Sequence, residues 1–182
     1  MKYEPAKEIL PILEDKHPYY KDFNQKILLE SSEMDFAREK WNADGGATNV
    51  KALQTENDMS SPTLILLQEW IMSLIRCQLA WPNIGLSFPD TWIAKYGVGD
   101  GAISHNHFPA LYSFVYFVEC PKGSSPLVFT TSGKRIKAEE GKVVIFSGLL
   151  HHYVPKNKCE GRIVVSGNMS AILPRTKYQS IP

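Results

Sequence analysis

The 182-residue chain has few cysteines, no surplus of either charge and no long apolar run. Its three cysteines, Cys77, Cys120 and Cys159, are odd in number and far apart, which argues against a disulfide framework and a paired-thiol metal site. A formal net charge of +1 disfavours nucleic acid as a ligand. Because no run of about 20 apolar residues is present, no membrane-spanning helix is expected.

The amino-terminal segment MKYEPAKEILPILEDKH is unlike a signal peptide, because its charges are scattered and interrupt every apolar stretch. Together with the unpaired cysteines, this predicts a reducing, cytoplasmic setting. At this length we expect a single domain that can bury a substantial core.

Residues 1–88 are predicted to be a mainly helical amino-terminal part. Ser61 is suited to cap a helix and Pro62 to occupy its first position, and apolar residues then recur at helical spacing. Two weaker helices are predicted at 6–14 and 20–31, and a polar, turn-rich loop is predicted at 43–60.

From residue 89 to residue 172 the pattern changes to short β-branched and aromatic runs, separated by turn sequences such as GVGDG and PKGSS. The runs are TWIAKY, LYSFVYFVE, PLVFT, KVVIFS, HHYV and RIVVSGNMS. Such strands are typical of a β-sandwich or jelly roll rather than of a parallel sheet with crossover helices. We predict an α+β domain with a mostly β core at 89–172, helices packed against it, and a surface tail at 173–182.

Four of the five histidines lie in this β-rich part, as His105 and His107 and as the adjacent pair His151 and His152. Residues two apart on a strand point to the same side, so His105 and His107 can share one metal ion. Imidazole suits iron, zinc, nickel and copper, so the pattern does not name the ion. Because neighbours on a strand face opposite ways, only one of the later pair is expected to face the barrel interior.

An arginine, Arg162, follows His152 by ten residues (162 − 152 = 10) and begins the run RIVVSGNMS. If Arg162 points inward, the strand period places Ser166 and Asn168 on the same face. A buried arginine needs a partner, and a carboxylate bound bidentately matches the guanidinium. The acidic residues of this part sit near turns, so we predict that a bound dicarboxylate is the partner.

Five motifs in this part resemble the iron(II)- and 2-oxoglutarate-dependent oxygenase superfamily, and more narrowly an oxygenase family common in phages and marine bacteria. The motifs are Trp92-Ile-Ala-Lys-Tyr96, His105-Asn-His107-Phe-Pro109, Ser113-Phe-Val-Tyr116-Phe, Ile145-Phe-Ser-Gly-Leu-Leu-His-His152-Tyr-Val-Pro155 and Arg162-Ile-Val-Val-Ser166-Gly-Asn168. The match covers about residues 90–170. It selects His152 rather than His151 as the distal metal ligand.

The resemblance implies a double-stranded β-helix, a jelly-roll or cupin-like barrel, that carries a dioxygenase site. Iron(II) would be bound by His105, His107 and His152. The co-substrate 2-oxoglutarate would be bound by Arg162, with Tyr96, Ser166 and Asn168 as hydrogen-bonding companions. With dioxygen (O2), the enzyme would decarboxylate 2-oxoglutarate to succinate and hydroxylate a prime substrate that these motifs do not select. If the gene belongs to a phage, the expected location is the host cytoplasm.

One position departs from the superfamily pattern, because His107 stands where the pattern has aspartate or glutamate. A three-histidine site is one solution, since three imidazoles are chemically suitable for iron. The alternative is that His107 lies outside the ligand sphere, and that water or Asp100, from a Gly-Asp-Gly turn, completes it.

Two other functions are compatible with a barrel that carries these histidines. A cupin-type metal-dependent enzyme or sensor also begins its motif with HxH, but that motif needs a glutamate where this chain has Leu111 and Tyr112. It also has no use for Arg162. A non-catalytic jelly-roll binding or structural protein would use a structural ion, and such sites are usually closed by four protein ligands.

Overall fold

The computed structural model describes residues 10–38, 48–56, 61–78 and 85–172, which form two helices and eleven strands. The helices are α1 (Tyr20–Ser32) and α2 (Pro62–Gln78). The strands are β1 (Ile12–Lys16), β2 (Val50–Lys51), β3 (Leu53–Gln54), β4 (Leu86–Tyr96), β5 (Gly101–His105), β6 (Tyr112–Glu119), β7 (Leu127–Phe129), β8 (Arg135–Ile136), β9 (Lys142–Ser147), β10 (His152–Val154) and β11 (Arg162–Ala171). The predicted tail at 173–182 lies outside the described residues.

The strands form two antiparallel sheets, a larger one with the order β1-β9-β6-β11-β4-β3 and a smaller one with the order β2-β5-β10-β7-β8. From β4 to β11 the chain passes from one sheet to the other at every connection except that between β7 and β8. This winding is a double-stranded β-helix and confirms the predicted jelly roll. Each predicted strand run is present, and β4 begins at Leu86, ahead of the predicted change of pattern.

Side chains on the two faces of the larger sheet enter two separate apolar cores, because successive residues of a strand alternate in direction. On the outer face, Phe114 and Val165 pack with Leu67 and Ile71 of α2 and with Ile27 of α1. On the inner face, which we call the lumen face, Val115, Phe117 and Val164 pack with Leu127 and Phe129 of the smaller sheet. The helices therefore pack against the barrel, as predicted.

Helix α2 begins as the sequence predicts. The carbonyl of Ser61 accepts a hydrogen bond from the Ile65 amide at 3.1 Å, and its hydroxyl oxygen accepts one from the Leu64 amide at 3.4 Å. Glu30 of α1 accepts hydrogen bonds from the hydroxyls of Ser61 and Thr63. The carboxylate therefore ties the start of α2 to α1.

Two local predictions for the amino-terminal part are wrong. Residues 12–14 were expected to be helical, but β1 pairs with β9 along its whole length, and this long-range pairing outweighs a weak helix propensity. Within the predicted loop 43–60, β2 and β3 pair with β5 and β4 and so add an edge strand to each sheet. Residues 6–9, 43–47 and 57–60 lie outside the described part of the chain.

Neither of the described helices is long and apolar enough to cross a membrane.

Candidate active site

Three histidines meet at one end of the smaller sheet. His105 is the last residue of β5 and His152 the first of β10, and the two are register partners. His107 lies in the turn after β5. One ligand nitrogen of each ring lies within 4.8 Å of the others, and the ring centroids are 4.5 to 5.1 Å apart. His105 and His107 lie close together, but a strand end and a turn bring them together rather than a single strand.

Close backbone packing fixes the turn that carries His107. The His107 amide donates a hydrogen bond to the carbonyl of Gly148 at 2.8 Å, and the Gly148 amide donates one to Leu111 at 3.1 Å. A Cβ atom added to Gly148 would lie 2.1 Å from the carbonyl oxygen of Ala110. Glycine is therefore required at position 148 for the turn to approach this closely.

We expect Gly148→Ala to move the His107 turn, to lower the stability by about 1–3 kcal/mol and to weaken metal binding. The measurements are thermal denaturation and metal titration. Gly85→Ala is the control, because its added Cβ would come no closer than 3.3 Å to Ile172. Unchanged metal affinity in Gly148→Ala would show that the turn does not position His107.

Hydrogen bonds orient two of the rings. Nδ1 of His105 lies 2.8 Å from the carbonyl oxygen of Ile103, and Nδ1 of His152 lies 3.0 Å from that of Leu150. A carbonyl oxygen only accepts, so Nδ1 carries the proton and Nε2 keeps the lone pair. Such backbone contacts are typical of metal-binding histidines, because they fix the ring orientation.

The rings are neutral in their surroundings. Burial, with a smaller contribution from the charge of His105, lowers the pKa of His107 to about 4. Burial and the same charge lower the pKa of His152 to about 3. Burial also lowers the pKa of His105. Because a metal ion needs an unprotonated ring nitrogen, all three rings are suited to bind one at neutral pH.

The two alternative ligands, His151 and Asp100, lie outside the histidine cluster. His152 is 4% exposed, whereas His151 is exposed and its Nε2 lies 3.0 Å from the side-chain Nδ2 of Asn106. The carboxylate of Asp100 accepts two hydrogen bonds from Arg38, at 2.8 and 3.0 Å, and one from the Gly97 amide at 2.9 Å. Among the described residues, the cluster with metal-binding geometry contains neither of them.

We expect Asp100→Asn to destabilise the protein by about 1–3 kcal/mol, because the buried carboxylate accepts charge-assisted hydrogen bonds. Burial raises the pKa of Asp100, but the hydrogen bonds and charge of Arg38 and the Gly97 amide outweigh it, so the pKa is lowered. The stabilisation is therefore present above the unfolded pKa of about 3.9 and is lost as the pH falls through the folded pKa.

Thermal denaturation at about pH 7 and about pH 3 measures this difference between wild type and variant. The difference should be largest at the higher pH and shrink at the lower. Asp22→Asn, which removes an exposed carboxylate of α1, should show little change at either pH. An equal effect of Asp100→Asn at both values would contradict the assigned role.

A cavity extends from the histidines into the barrel between the two sheets. Its walls include Trp92, Tyr96, Leu127, Arg162 and Ser166, besides the three histidines. Its volume is only about 40 Å³. Two larger pockets, of about 560 and 510 Å³, lie elsewhere and are lined by no histidine. The chemistry of its walls, and not its size, makes this cavity the candidate site.

Arg162 lies at the inner end of the cavity and is 1% exposed. Its Nε and Nη1 atoms have no hydrogen-bond partner among the described residues. Its Cζ atom lies 4.3 Å from the centroid of the Tyr96 ring, a cation–π contact. A guanidinium buried in this way is unfavourable unless an anion binds it, so the cavity fits a carboxylate at this end.

Tyr96 is the cross-strand partner of Arg162. Burial raises the pKa of the Tyr96 hydroxyl more than the positive charge of Arg162 lowers it. The hydroxyl therefore stays protonated at neutral pH and can donate a hydrogen bond to an anion bound beside Arg162.

The other two predicted companions occupy different places. Val164 and Ser166 line the cavity with Arg162, as strand alternation requires. Asn168 is on the same face but does not line the cavity. Its Oδ1 accepts a hydrogen bond from the Ser113 hydroxyl at 2.9 Å, and its Nδ2 donates one to Asp90 at 3.3 Å.

The wall residues that had no role assigned from the sequence include Trp92 and Val50. The ring centroid of Trp92 lies 6.4 Å from that of His107. Its separation of four residues from Tyr96 on one strand already indicated a shared face. Val50 of β2 also lines the cavity. The only sequence signal for this residue is that it is β-branched and lies within a polar stretch.

Comparison with solved structures identifies proteins with a similar fold. A collagen prolyl hydroxylase from Paramecium bursaria Chlorella virus-1, in complex with 2-oxoglutarate, has a TM-score of 0.66 at 15% identity over 87% of this chain and 96% of its own. A Pseudomonas putida prolyl-4-hydroxylase has a TM-score of 0.62 at 17% identity over 90% and 92%. The chain has the fold of the iron(II)- and 2-oxoglutarate-dependent oxygenases.

A non-heme α-ketoglutarate-dependent epimerase, SnoN from nogalamycin biosynthesis, has a TM-score of 0.67 at 11% identity over 94% of this chain and 88% of its own. A scan against protein-family models and a search of curated proteins both find no match. These structural relatives are named for hydroxylation and for epimerisation, so the fold by itself does not select a reaction.

Proposed function

We propose that this protein is an iron(II)- and 2-oxoglutarate-dependent dioxygenase that hydroxylates a C–H bond of a prime substrate. One observation carries the proposal. The buried Arg162, with two guanidinium nitrogens that have no partner among the described residues, lines the same cavity as the three-histidine cluster. A metal site and an anion site that share one cavity suit a co-substrate with a metal-chelating end and a carboxylate end.

The histidines fit iron(II). Three neutral imidazoles are suitable ligands for this ion, and a set of three leaves positions open for other ligands. Three neutral ligands also leave the two positive charges of the ion uncompensated, because no aspartate among the described residues belongs to the cluster. The two carboxylates of 2-oxoglutarate carry two negative charges, so we expect metal and co-substrate to strengthen each other's binding.

The residues of the chain would then bind and orient the reactants. Arg162 would bind the far carboxylate of 2-oxoglutarate, with hydrogen bonds from the Tyr96 and Ser166 hydroxyls. The apolar walls, Leu127, Val154 and Val164, would exclude water from the co-substrate. When bound, iron(II) with dioxygen supplies the oxidation that converts 2-oxoglutarate to succinate and carbon dioxide and hydroxylates the prime substrate.

Arg162 is also the residue that distinguishes this proposal from a cupin-type enzyme or sensor and from a non-catalytic jelly-roll protein. Neither of these needs a buried cation that shares a cavity with the histidine cluster. Support for an open, catalytic site rather than a closed structural one comes from the number of ligands, since the part of the chain that the structure describes contributes three.

The test is an anaerobic titration of the protein with iron(II), with and without 2-oxoglutarate. We expect a weak visible metal-to-ligand charge-transfer band that forms only when both are present. Succinate, which lacks the 2-oxo group, is the matched control and should give no band. If iron(II) binds equally with and without 2-oxoglutarate and no band forms, the oxygenase proposal fails.

A further inference from the structure

A polar row crosses the lumen face of the larger sheet on three adjacent strands. Asp90 of β4 is the register partner of Asn168 of β11, which is in turn the partner of Ser113 of β6. The Ser113 hydroxyl donates to Asn168 Oδ1 at 2.9 Å, and Asn168 Nδ2 donates to the Asp90 carboxylate at 3.3 Å. The three side chains therefore form one connected chain of hydrogen bonds.

The row lies at the histidine end of the barrel. Along β11, Arg162, Ser166 and Asn168 share a face, so Asn168 is the member farthest from the anion-binding arginine. Asp90 follows the same order on β4, beyond Trp92 and Tyr96. Ser113 pairs with Phe146 on β9, and the Phe146 ring lies 4.7 Å from that of His152.

Burial decreases along the row. Ser113 is 1% exposed, whereas Asn168 and Asp90 are half-buried. Because a hydroxyl donates to the carbonyl oxygen of an amide, the Ser113 bond directs the amide nitrogen of Asn168 towards Asp90. The amide therefore fixes the position of a carboxylate at the more accessible end of the row.

The lumen face of the larger sheet thus carries charges of opposite sign towards its two ends. Arg162 is positive at the inner end, where a dicarboxylate fits, and Asp90 is negative beyond the histidines. Two aromatic residues belong to the same end of the barrel: Trp92, two residues from Asp90 on the same face of β4, lines the cavity, and Phe108, next to His107, is 73% exposed. A carboxylate at an end that also carries aromatic rings favours a cationic ligand through ion pairing and cation–π contacts.

We propose that Asp90, positioned by Asn168 and Ser113, determines the specificity for the prime substrate and selects one that carries a protonated amine or a guanidinium group. The role of this residue in turnover rests on the proposed oxygenase function. Its preference for a cation is a property of the site itself and can be measured without turnover.

The experiment measures binding of three probes of similar length to the iron(II)- and 2-oxoglutarate-loaded protein without oxygen. The probes are Nα-acetyl-lysine methylamide, Nα-acetyl-arginine methylamide and the uncharged Nα-acetyl-norleucine methylamide. Quenching of tryptophan fluorescence reports binding, and consumption of 2-oxoglutarate after oxygen is admitted reports productive binding. The variants are Asp90→Asn, which keeps the shape and removes the charge, Asp90→Glu, and the control Asp22→Asn.

We expect wild type and Asp22→Asn to bind the two cationic probes at least about tenfold more tightly than the norleucine probe, the size of one charge-assisted hydrogen bond. Asp90→Asn should lose this preference, and Asp90→Glu should keep part of it. A merely structural role of Asp90 would change stability but not the order of the probes. Thermal denaturation of each variant measures that stability.

The proposal is overturned if no cationic probe binds, if the norleucine probe binds as tightly, or if Asp90→Asn keeps the preference. Failure of the oxygenase function gives a different result, because the charge-transfer band is then absent from wild type. In that case the fluorescence titration of the metal-free protein still measures the preference for a cation.

Discussion

His152→Ala is expected to lower the affinity for iron(II) by more than about 100-fold. The loss of a residue that only hydrogen-bonds to a metal ligand typically lowers metal affinity by about 10- to 100-fold, and the loss of a ligand itself should cost more. The local structure holds the His152 ring in place, since its Nδ1 donates to the carbonyl of Leu150 and its ring packs on Phe146. The two remaining histidines would leave the ion bound mainly by water. The measurement is an anaerobic titration in competition with a chelator of known affinity.

The matched control is His151→Ala, which removes an exposed imidazole from the adjacent position. We expect it to bind iron(II) like wild type, because its Nε2 contacts Asn106 and not the cluster. His152→Ala also leaves a cavity beside Phe146, so thermal denaturation must show that the metal-free variant is folded. A folded His152→Ala variant with wild-type affinity would exclude the three-histidine site.

The strands were predictable because their patterns are local. A run such as KVVIFS has the composition of a buried strand, and His152 follows such a run closely. Alternation along β11 then gave the shared face of Arg162 and Ser166. These inferences need only the period of a strand and the chemistry of each side chain, whereas the choice of His152 over His151 rested on the resemblance to the oxygenase superfamily.

Features that depend on pairing between distant strands were not predictable in this way. The segment at 12–16 is a strand because β9 lies beside it. Asp100 was an alternative metal ligand in the sequence analysis. In the structure its carboxylate pairs with Arg38, which lies 62 residues earlier in the chain. The row from Asp90 to Ser113 depends on the register of β4, β11 and β6, which no local pattern encodes. The sequence therefore predicts Asn168 as a companion of the co-substrate but not its hydrogen bonds to Ser113 and Asp90.

Arg162→Met is expected to change co-substrate binding and stability in opposite directions. It should weaken 2-oxoglutarate binding by about 2–5 kcal/mol, or about 30- to 4000-fold, the usual effect of truncating a buried charged pair. The same change removes a guanidinium that is 1% exposed and has two nitrogens without partners among the described residues. Replacing such a buried charge with an apolar side chain of similar length should raise the melting temperature of the ligand-free protein.

Calorimetric titration with 2-oxoglutarate and thermal denaturation without it measure the two effects separately. Arg162→Lys should bind with intermediate affinity, because an ammonium keeps the charge but cannot form the bidentate contact. Arg135→Met is the control for loss of an arginine, since this residue is exposed on β8. A purely structural arginine predicts that Arg162→Met destabilises the protein and leaves 2-oxoglutarate binding unchanged. The opposite signs expected here therefore separate an arginine that binds a ligand from one that supports the fold.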